Sequence, residues 1–425
     1  MASSAKPISA RFLIIWFGQL ISGIGSGLTA FALGVYAFDR THSATVYSLI
    51  ILFAFLPSYL LKPFGGTLAD RFDRRLMMML GDLGSSLGLV FILLMLLSGM
   101  NEMWIIYVGV ALSSVFVALQ NPAYKASVTD LLDEENYAKA SGLVQLTESA
   151  KYLVSPIIAG FLMHCMKIEY ILVIDIATFL LAVFTVFGVK KAIQKPEKVK
   201  PGTNFRTEFF EGFIYTFARK ELVALLTVVS LITFFVGFLQ TLIGPMILPF
   251  ANAKTLGISQ TIAATGMLFS SFFIGVFHNS KKQVGILSVS LAVVGIFYAL
   301  FGTSTNIVWV TIYGFLFFTA LPFVNTSIEV LIRKMVDNEV QGRVWSIVSL
   351  ISQLGMIVAF AIAGTLADKV FNPMLQPNGA LAASVGQLIG TGNGRGIGLM
   401  FVISGVLVLI TSVAIGSLKS IKNLD

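Results

Sequence analysis

Apolar residues in this chain neither alternate nor recur on a single helical stripe; they run on for twenty or more positions. Charge-free stretches cover residues 12–38, 41–61, 83–101, 103–124, 222–253, 255–280, 344–367 and 396–418. A helix needs about 20 apolar residues to cross ~30 Å of hydrocarbon, so each stretch predicts one membrane span. The stretch 283–328 is long enough for two, with a turn at Gly302-Thr303-Ser304-Thr305-Asn306. Two further spans carry charge inside them: 139–166 holds Glu148 and Lys151, and 168–188 holds Asp175. The pattern therefore predicts an all-α polytopic membrane protein of twelve transmembrane helices, arranged as two pseudo-symmetric six-helix bundles.

Composition agrees with that reading and closes off others. Only 12% of the 425 residues are charged, about half of the ~25% usual for a soluble domain, and 56% are apolar. A soluble fold must coat itself with polar groups, so disorder, a soluble enzyme and a nucleic-acid binder are excluded. Cys165 has no partner for an intrachain disulfide, and His42, His164 and His278 are scattered without ligand spacing. Neither a metal nor an organic cofactor is expected. The first apolar run is too long for a signal-peptide core and reads as a retained span.

The basic residues orient the helices. With both termini cytoplasmic, 23 of the 29 Lys and Arg fall in inner segments. Arg40, Lys167, Lys254, Lys369 and Arg395 are the outer five, and Lys151 lies within a span. So lopsided a division is what the positive-inside rule expects of an even number of spans. The most basic segment, 190–220, divides the chain into an N-terminal bundle (1–189), a cytoplasmic linker (190–220) and a C-terminal bundle (221–425). Residues 205–217 fit either an amphipathic helix on the inner membrane surface or a plain charged loop.

The halves also repeat. A shift of about 204 carries Asp133-Glu134-Glu135 onto Asp337-Asn338-Glu339, Lys139 onto Arg343, Ala159-Gly160 onto Ala363-Gly364, and Asn121 onto Asn325. Parallel six-span repeats point to a transporter that rocks one bundle against the other around a shared substrate cavity.

Between spans 2 and 3 stands Gly65-Gly66-Thr67-Leu68-Ala69-Asp70-Arg71-Phe72-Asp73-Arg74-Arg75. The two glycines permit close helix approach, Asp70 suits the positive end of a facing helix, and the arginines can pair with carboxylates or lipid phosphates. The loop resembles the signature loop of the major facilitator superfamily. Trp16-Phe17-Gly18-Gln19-Leu20-Ile21-Ser22, Ile174 to Phe179 and Gln341-Gly342-Arg343-Val344 are similar to the macrolide-efflux branch of its drug:proton antiporters. The resemblance implies a gating set of Gly66, Asp70, Arg71, Arg74, Arg75, Asp130 and Arg343. In that set Asp70 latches the start of span 11 near Gly342–Arg343, and Asp70, Arg74 and Asp130 form a charge cluster. Three features depart from the family pattern: Asp73 replaces a glycine, span 4 lacks an arginine, and Ser155-Pro156 stands for Gly-Pro in span 5.

Ionisable groups at bilayer depth are costly and by default functional. Glu148 and Lys151, three residues apart, share a helix face near the midplane of span 5. They fit either a cavity-lining pair that exchanges a proton during coupling or a neutralised structural pair. Asp175 fits a structural hydrogen-bonding role, and Asp82 a place among the gate charges. Gln19, Asn121, Gln240 and Asn325 are candidate cavity residues; each could instead satisfy a neighbouring carbonyl. The 36 phenylalanines suit bulky apolar ligands.

The resemblance implies a secondary active exporter of amphipathic compounds, macrolide-like or multiple drugs, working by alternating access and proton antiport. The alternative is a dedicated exporter or flippase of a natural product, siderophore or lysophospholipid. Expected partners are small amphipathic substrates and membrane lipid, with no nucleic acid; the expected state is a monomer in a bacterial plasma membrane.

Overall fold

The computed structural model describes residues 8–189, 205–277, 282–337 and 340–417, with the side chains of a few of these, Asp70 included, outside the description. Every regular element among the described residues is helical. In chain order the first are α1 (Ala10–Thr41), α2 (Ala44–Arg71), α3 (Arg74–Leu97), α4 (Met103–Leu131), α5 (Tyr137–Leu153), α6 (Ser155–Cys165) and α7 (Ile168–Gly188). After residues 190–204, which lie outside the description, come α8 (Phe205–Ala218), α9 (Lys220–Ile247), α10 (Ala253–Phe277), α11 (Gln283–Thr303), α12 (Ile307–Met335) and α13 (Gln341–Leu366). A π-helical turn, Ala367–Phe371, leads through α14 (Asn372–Met374) and α15 (Val385–Ile389) to α16 (Arg395–Ser417).

Eleven of these helices are long and apolar enough to cross a membrane. The uninterrupted helix expected over 139–166 is instead two pieces, α5 and α6, that meet at Val154. Pro156, near the start of α6, has no N–H to give to the carbonyl four residues back, so the ladder breaks there. The joint packs on α1: the Ser155 hydroxyl donates to the Ile24 carbonyl at 2.9 Å, and the Lys151 stem crosses Gly23.

The chain forms two compact units, one of Met1–Thr41 and Leu49–Pro201, the other of His42–Ser48 and Gly202–Asp425. The first turn of α2 thus clusters with the second unit. Lipid offers no hydrophobic drive between helices, so close backbone approach at small residues holds each unit together. In the first unit α3 meets α4 where Gly84 lies under the Phe116 ring and Gly88 faces the backbone of Gly109 and Ser113. In the second, α11 and α16 touch through Gly295 against Gly405 and Gly302 against Gly398.

The expected linker is partly a helix of the second unit. α8 docks on the start of α13, where Glu211 binds Arg343 at 2.6 Å and Gly212 abuts the Arg343 backbone. Tyr215 donates to Asp337 at 2.9 Å, and Arg219 donates to the Met335 carbonyl at 2.6 Å while lying over the Tyr215 ring. Phe210, Phe213, Ile214 and Phe217 remain exposed.

Candidate functional site

The segment after α2 is built around helix ends. Asp73 takes the N-cap position of α3, accepting from the Arg75 amide at 2.9 Å and, more weakly, from the Leu76 amide at 3.4 Å. That local role accounts for a carboxylate where the family pattern has glycine, because the first amides of a helix lack intrahelical partners. Arg74 donates to Asp130 at 2.7 Å and to the Ala126 carbonyl at 3.1 Å, and reaches the Ala69 carbonyl at 3.4 Å. One guanidinium therefore ties α3 to the last turns of α2 and α4. Arg75 lies across the end of α7, donating to the Val186 carbonyl at 3.1 Å and stacking over Phe187. A cation at a helix C-terminus meets unpaired carbonyls and the negative end of the dipole. Arg71 is exposed, and among the described residues no atom lies within 4 Å of a Cβ placed on Gly66. The expected partnership of Arg343 with Asp70 is not described, since the Asp70 side chain falls outside the description; Arg343 instead engages Glu211 of α8.

Inside the spans, the polar residues divide by what they touch. Gln19 is 5% exposed, and both ends of its amide are engaged: Nε2 donates to Asp82 at 2.9 Å, and Oε1 accepts from Gln120 at 2.5 Å. This bridge across α1, α3 and α4 makes Gln19 a partner of a buried carboxyl. Asp82 is 2% exposed. Replacing Asp82 by Ala leaves the Gln19 donor unpaired in a dry interior and opens space, an expected loss of about 1–3 kcal/mol. Asp82→Asn keeps an acceptor of the same shape and should lose less than ~1 kcal/mol. Thermal unfolding of the two purified variants checks the difference.

Glu148 and Lys151 do meet, at 3.4 Å, with side chains 37% and 31% exposed. Asp175 is buried, accepts from the Thr178 hydroxyl at 3.2 Å and lies beside Gly25 of α1. Asn121 is half-buried, whereas Gln240 and Asn325 are exposed. Gln120, one position from the expected Asn121, is the span-4 amide that enters the network. Only a knowledge of helix rotation would have distinguished the two. Arg395, 3% exposed, was legible as an outer cation. Its role appears only in the fold, where it caps the end of α11 by donating to the Gly302 carbonyl at 2.7 Å and the Ser304 carbonyl at 3.3 Å.

A chain with, among its described residues, eleven helices long and apolar enough to cross a membrane is a multi-pass membrane protein. It belongs to the Major Facilitator Superfamily, whose family profile matches residues 15–360. It is 27% identical over 430 residues to macrolide efflux protein A of Streptococcus pyogenes, covering 98% of this chain and 97% of that one. The multi-drug resistance efflux pump PmrA of Streptococcus pneumoniae is 24% identical over 361 residues, covering 81% and 86%. Among solved structures, the chain resembles a bacterial homologue of the human lysosomal transporter Spinster in an inward-facing, unoccupied conformation. That match has a TM-score of 0.73 at 14% identity, covering 96% of both chains. The nucleoside transporter NupG matches with a TM-score of 0.71 at 13% identity, covering 96% and 100%. These structural likenesses define the fold.

Proposed function

We propose that this protein exports amphipathic organic compounds, macrolide-like molecules or several drug classes, by alternating access coupled to inward proton flow. The observation that carries the proposal is end-to-end similarity to macrolide efflux protein A, with no large segment unmatched on either side. In this reading the protein works as a monomer without a cofactor, in a bacterial plasma membrane, with both termini cytoplasmic. The excess of Lys and Arg in the segments then assigned to the inside supports that orientation. It places the loop after α2 and the start of α13 inside, and the junction of α1 with α2 outside.

Glu148 is the coupling candidate. It is ionisable, lies mid-span, is incompletely buried, and has Lys151 one turn away as a counter-charge. A proton on Glu148 releases Lys151, and loss of that proton restores the pair. Asp70, Arg74 and Asp130 serve the inner gate, with Arg71, Arg75, Gly66 and Arg343 supporting it. Asn121, Gln240 and Asn325 are cavity candidates, and Gln19 contributes through Asp82. Exposed Phe210, Phe213, Ile214 and Phe217 on α8 suit contact with lipid.

Uptake into inverted vesicles under an imposed pH gradient tests the proposal, with a macrolide, a cationic dye and a lysophospholipid as probes. Accumulation of the macrolide or dye that a protonophore abolishes is expected. Movement of the lysophospholipid alone would favour the lipid-exporter alternative. Glu148→Gln is expected to reduce gradient-driven accumulation by at least tenfold while the protein still inserts. Undiminished accumulation removes Glu148 from the mechanism.

A further inference from the structure

The hexapeptide Gly66-Thr67-Leu68-Ala69-Asp70-Arg71 at the end of α2 recurs at the end of α13 as Gly364-Thr365-Leu366-Ala367-Asp368-Lys369. Five residues are identical and the sixth exchanges one cation for another. The offset differs from the one relating the two halves, because Gly364 is 298 positions beyond Gly66 whereas the half repeat is about 204. The recurrence therefore marks two particular helices and is not simply inherited from the duplication.

In the second copy the parts are engaged. Asp368 lies in the π-helical turn that follows α13 and receives four hydrogen bonds from the start of α2. Oδ1 accepts from the Ala44 amide at 3.1 Å. Oδ2 accepts from the Thr45 amide at 2.9 Å, the Thr45 hydroxyl at 2.8 Å and the Ser43 hydroxyl at 2.7 Å. The Ser43 hydroxyl in turn accepts from the Val46 amide at 3.2 Å. Gly364, one turn before Asp368, is where the α13 backbone touches α2: a Cβ there would strike the Ser48 hydroxyl and the Ala44 carbonyl. Among the described residues the equivalent space beside Gly66 is open.

The chemistry is that of a helix cap supplied from outside the helix. The first amides of α2 have no intrahelical acceptors, and the helix dipole makes that end positive, so an anion held there is stabilised twice over. A single carboxylate satisfies two of those amides and two hydroxyls. A bonded, discrete contact of this kind is either made or absent, which is what a two-state gate requires.

We propose that Asp368 is a gating residue, the outer counterpart of Asp70: each aspartate closes one end of the α2–α13 helix pair by capping the first turn of the other helix, and the two caps alternate. Asp368 on α2 holds the outer end shut, and Asp70 on α13 holds the inner end shut. Opening the outer end requires Asp368 to let go of residues 43–45. Gly364, one turn from its cap, lets the α13 backbone close on the start of α2. This inference rests on the alternating-access part of the proposed function and adds to it a named outer latch. It makes Asp368 a positioning residue that touches no substrate.

Backbone hydrogen exchange on the purified full-length protein in lipid nanodiscs tests the latch without any substrate. Asp368→Asn is expected to speed exchange in residues 43–49 at least roughly fivefold, the scale of a lost charged cap. It should also slow exchange at residues 341–347 by a similar factor, as the population moves to the state capped by Asp70. Asp70→Asn should do the reverse at both ends. A change confined to residues 43–49 would show a static cap and overturn the proposal, as would no change at either end. If Asp368→Asn fails to fold, Ser43→Ala with Thr45→Val removes two donors, keeps the carboxylate, and should shift both ends in the same direction by less. Transport separates this proposal from the functional one. Reciprocal exchange without proton-driven drug accumulation sinks the functional reading and leaves the latch. Drug accumulation without reciprocal exchange does the opposite.

Discussion

Leucine in place of Gly302 or Gly295 is expected to abolish recovery of monodisperse folded protein, and alanine at Gly295 to lower stability by roughly 2–3 kcal/mol. The reason is which atoms the new side chain meets. A Cβ on Gly295 would lie 2.8 Å from the Gly405 carbonyl oxygen and 2.9 Å from the Leu409 amide nitrogen; one on Gly302 would strike the Gly398 carbonyl. These are backbone atoms of α16, and a helix backbone cannot turn aside as a flexible side chain can. The two helices must move apart along their length, losing dispersion contacts that nothing in lipid replaces. Arg395 anchors the same seam, because its guanidinium holds the carbonyl of Gly302. Gly142 provides the control. It is exposed on α5, with no described atom within 4 Å of a Cβ, so Gly142→Ala should leave stability unchanged or raise it by up to ~1 kcal/mol through helix propensity alone. Thermal unfolding and size-exclusion profiles in one detergent compare the three positions. Equal effects at Gly142 and Gly295 would remove the close-packing argument.

The two glycine pairs also show where the sequence stops speaking. The runs of apolar residues locate the spans because bilayer thickness imposes their length, and the basic loops stand out because charge is so costly elsewhere. Which glycine faces which helix is a matter of rotation about the axis. A helix that is apolar all round carries no stripe from which to read that rotation. The same gap explains the polar residues. Gln19 and Asn121 stood out as uncharged polar residues on expected cavity helices, yet Gln19 is occupied by Asp82, and Gln120 completes the bridge. The break between α5 and α6 was visible as Pro156, but a proline in a membrane helix is compatible with a kink, a bulge or a full interruption, and neighbouring helices decide among them. Glu211 as the partner of Arg343 was not legible at all. The two are 132 positions apart, and one lies in a segment whose amphipathic character was itself an alternative.

Arg74 is the residue where sequence motif and geometry meet, and Arg74→Ala is expected to cost roughly 3 kcal/mol. Its bond to Asp130 is short and both side chains are mostly shielded, at 15% and 14% exposure, so truncation strands a carboxylate in a partly dry setting. The Ala126 and Ala69 carbonyls, near the ends of α4 and α2, lose their donor at the same time. Lysine is expected to recover only part of the loss, about half, because one ammonium keeps the ion pair but cannot span three acceptors on two helices. Reversing the pair, Arg74→Asp with Asp130→Arg, restores the attraction and not the carbonyl bonds, so it should fall between Arg74→Lys and Arg74→Ala. Unfolding temperatures of the three variants give the order, and a double-mutant cycle on Arg74→Ala and Asp130→Ala gives the coupling. A coupling below ~0.5 kcal/mol would mean that the two groups are neighbours without being partners, and the charge cluster would then have to be built on the carbonyl contacts alone.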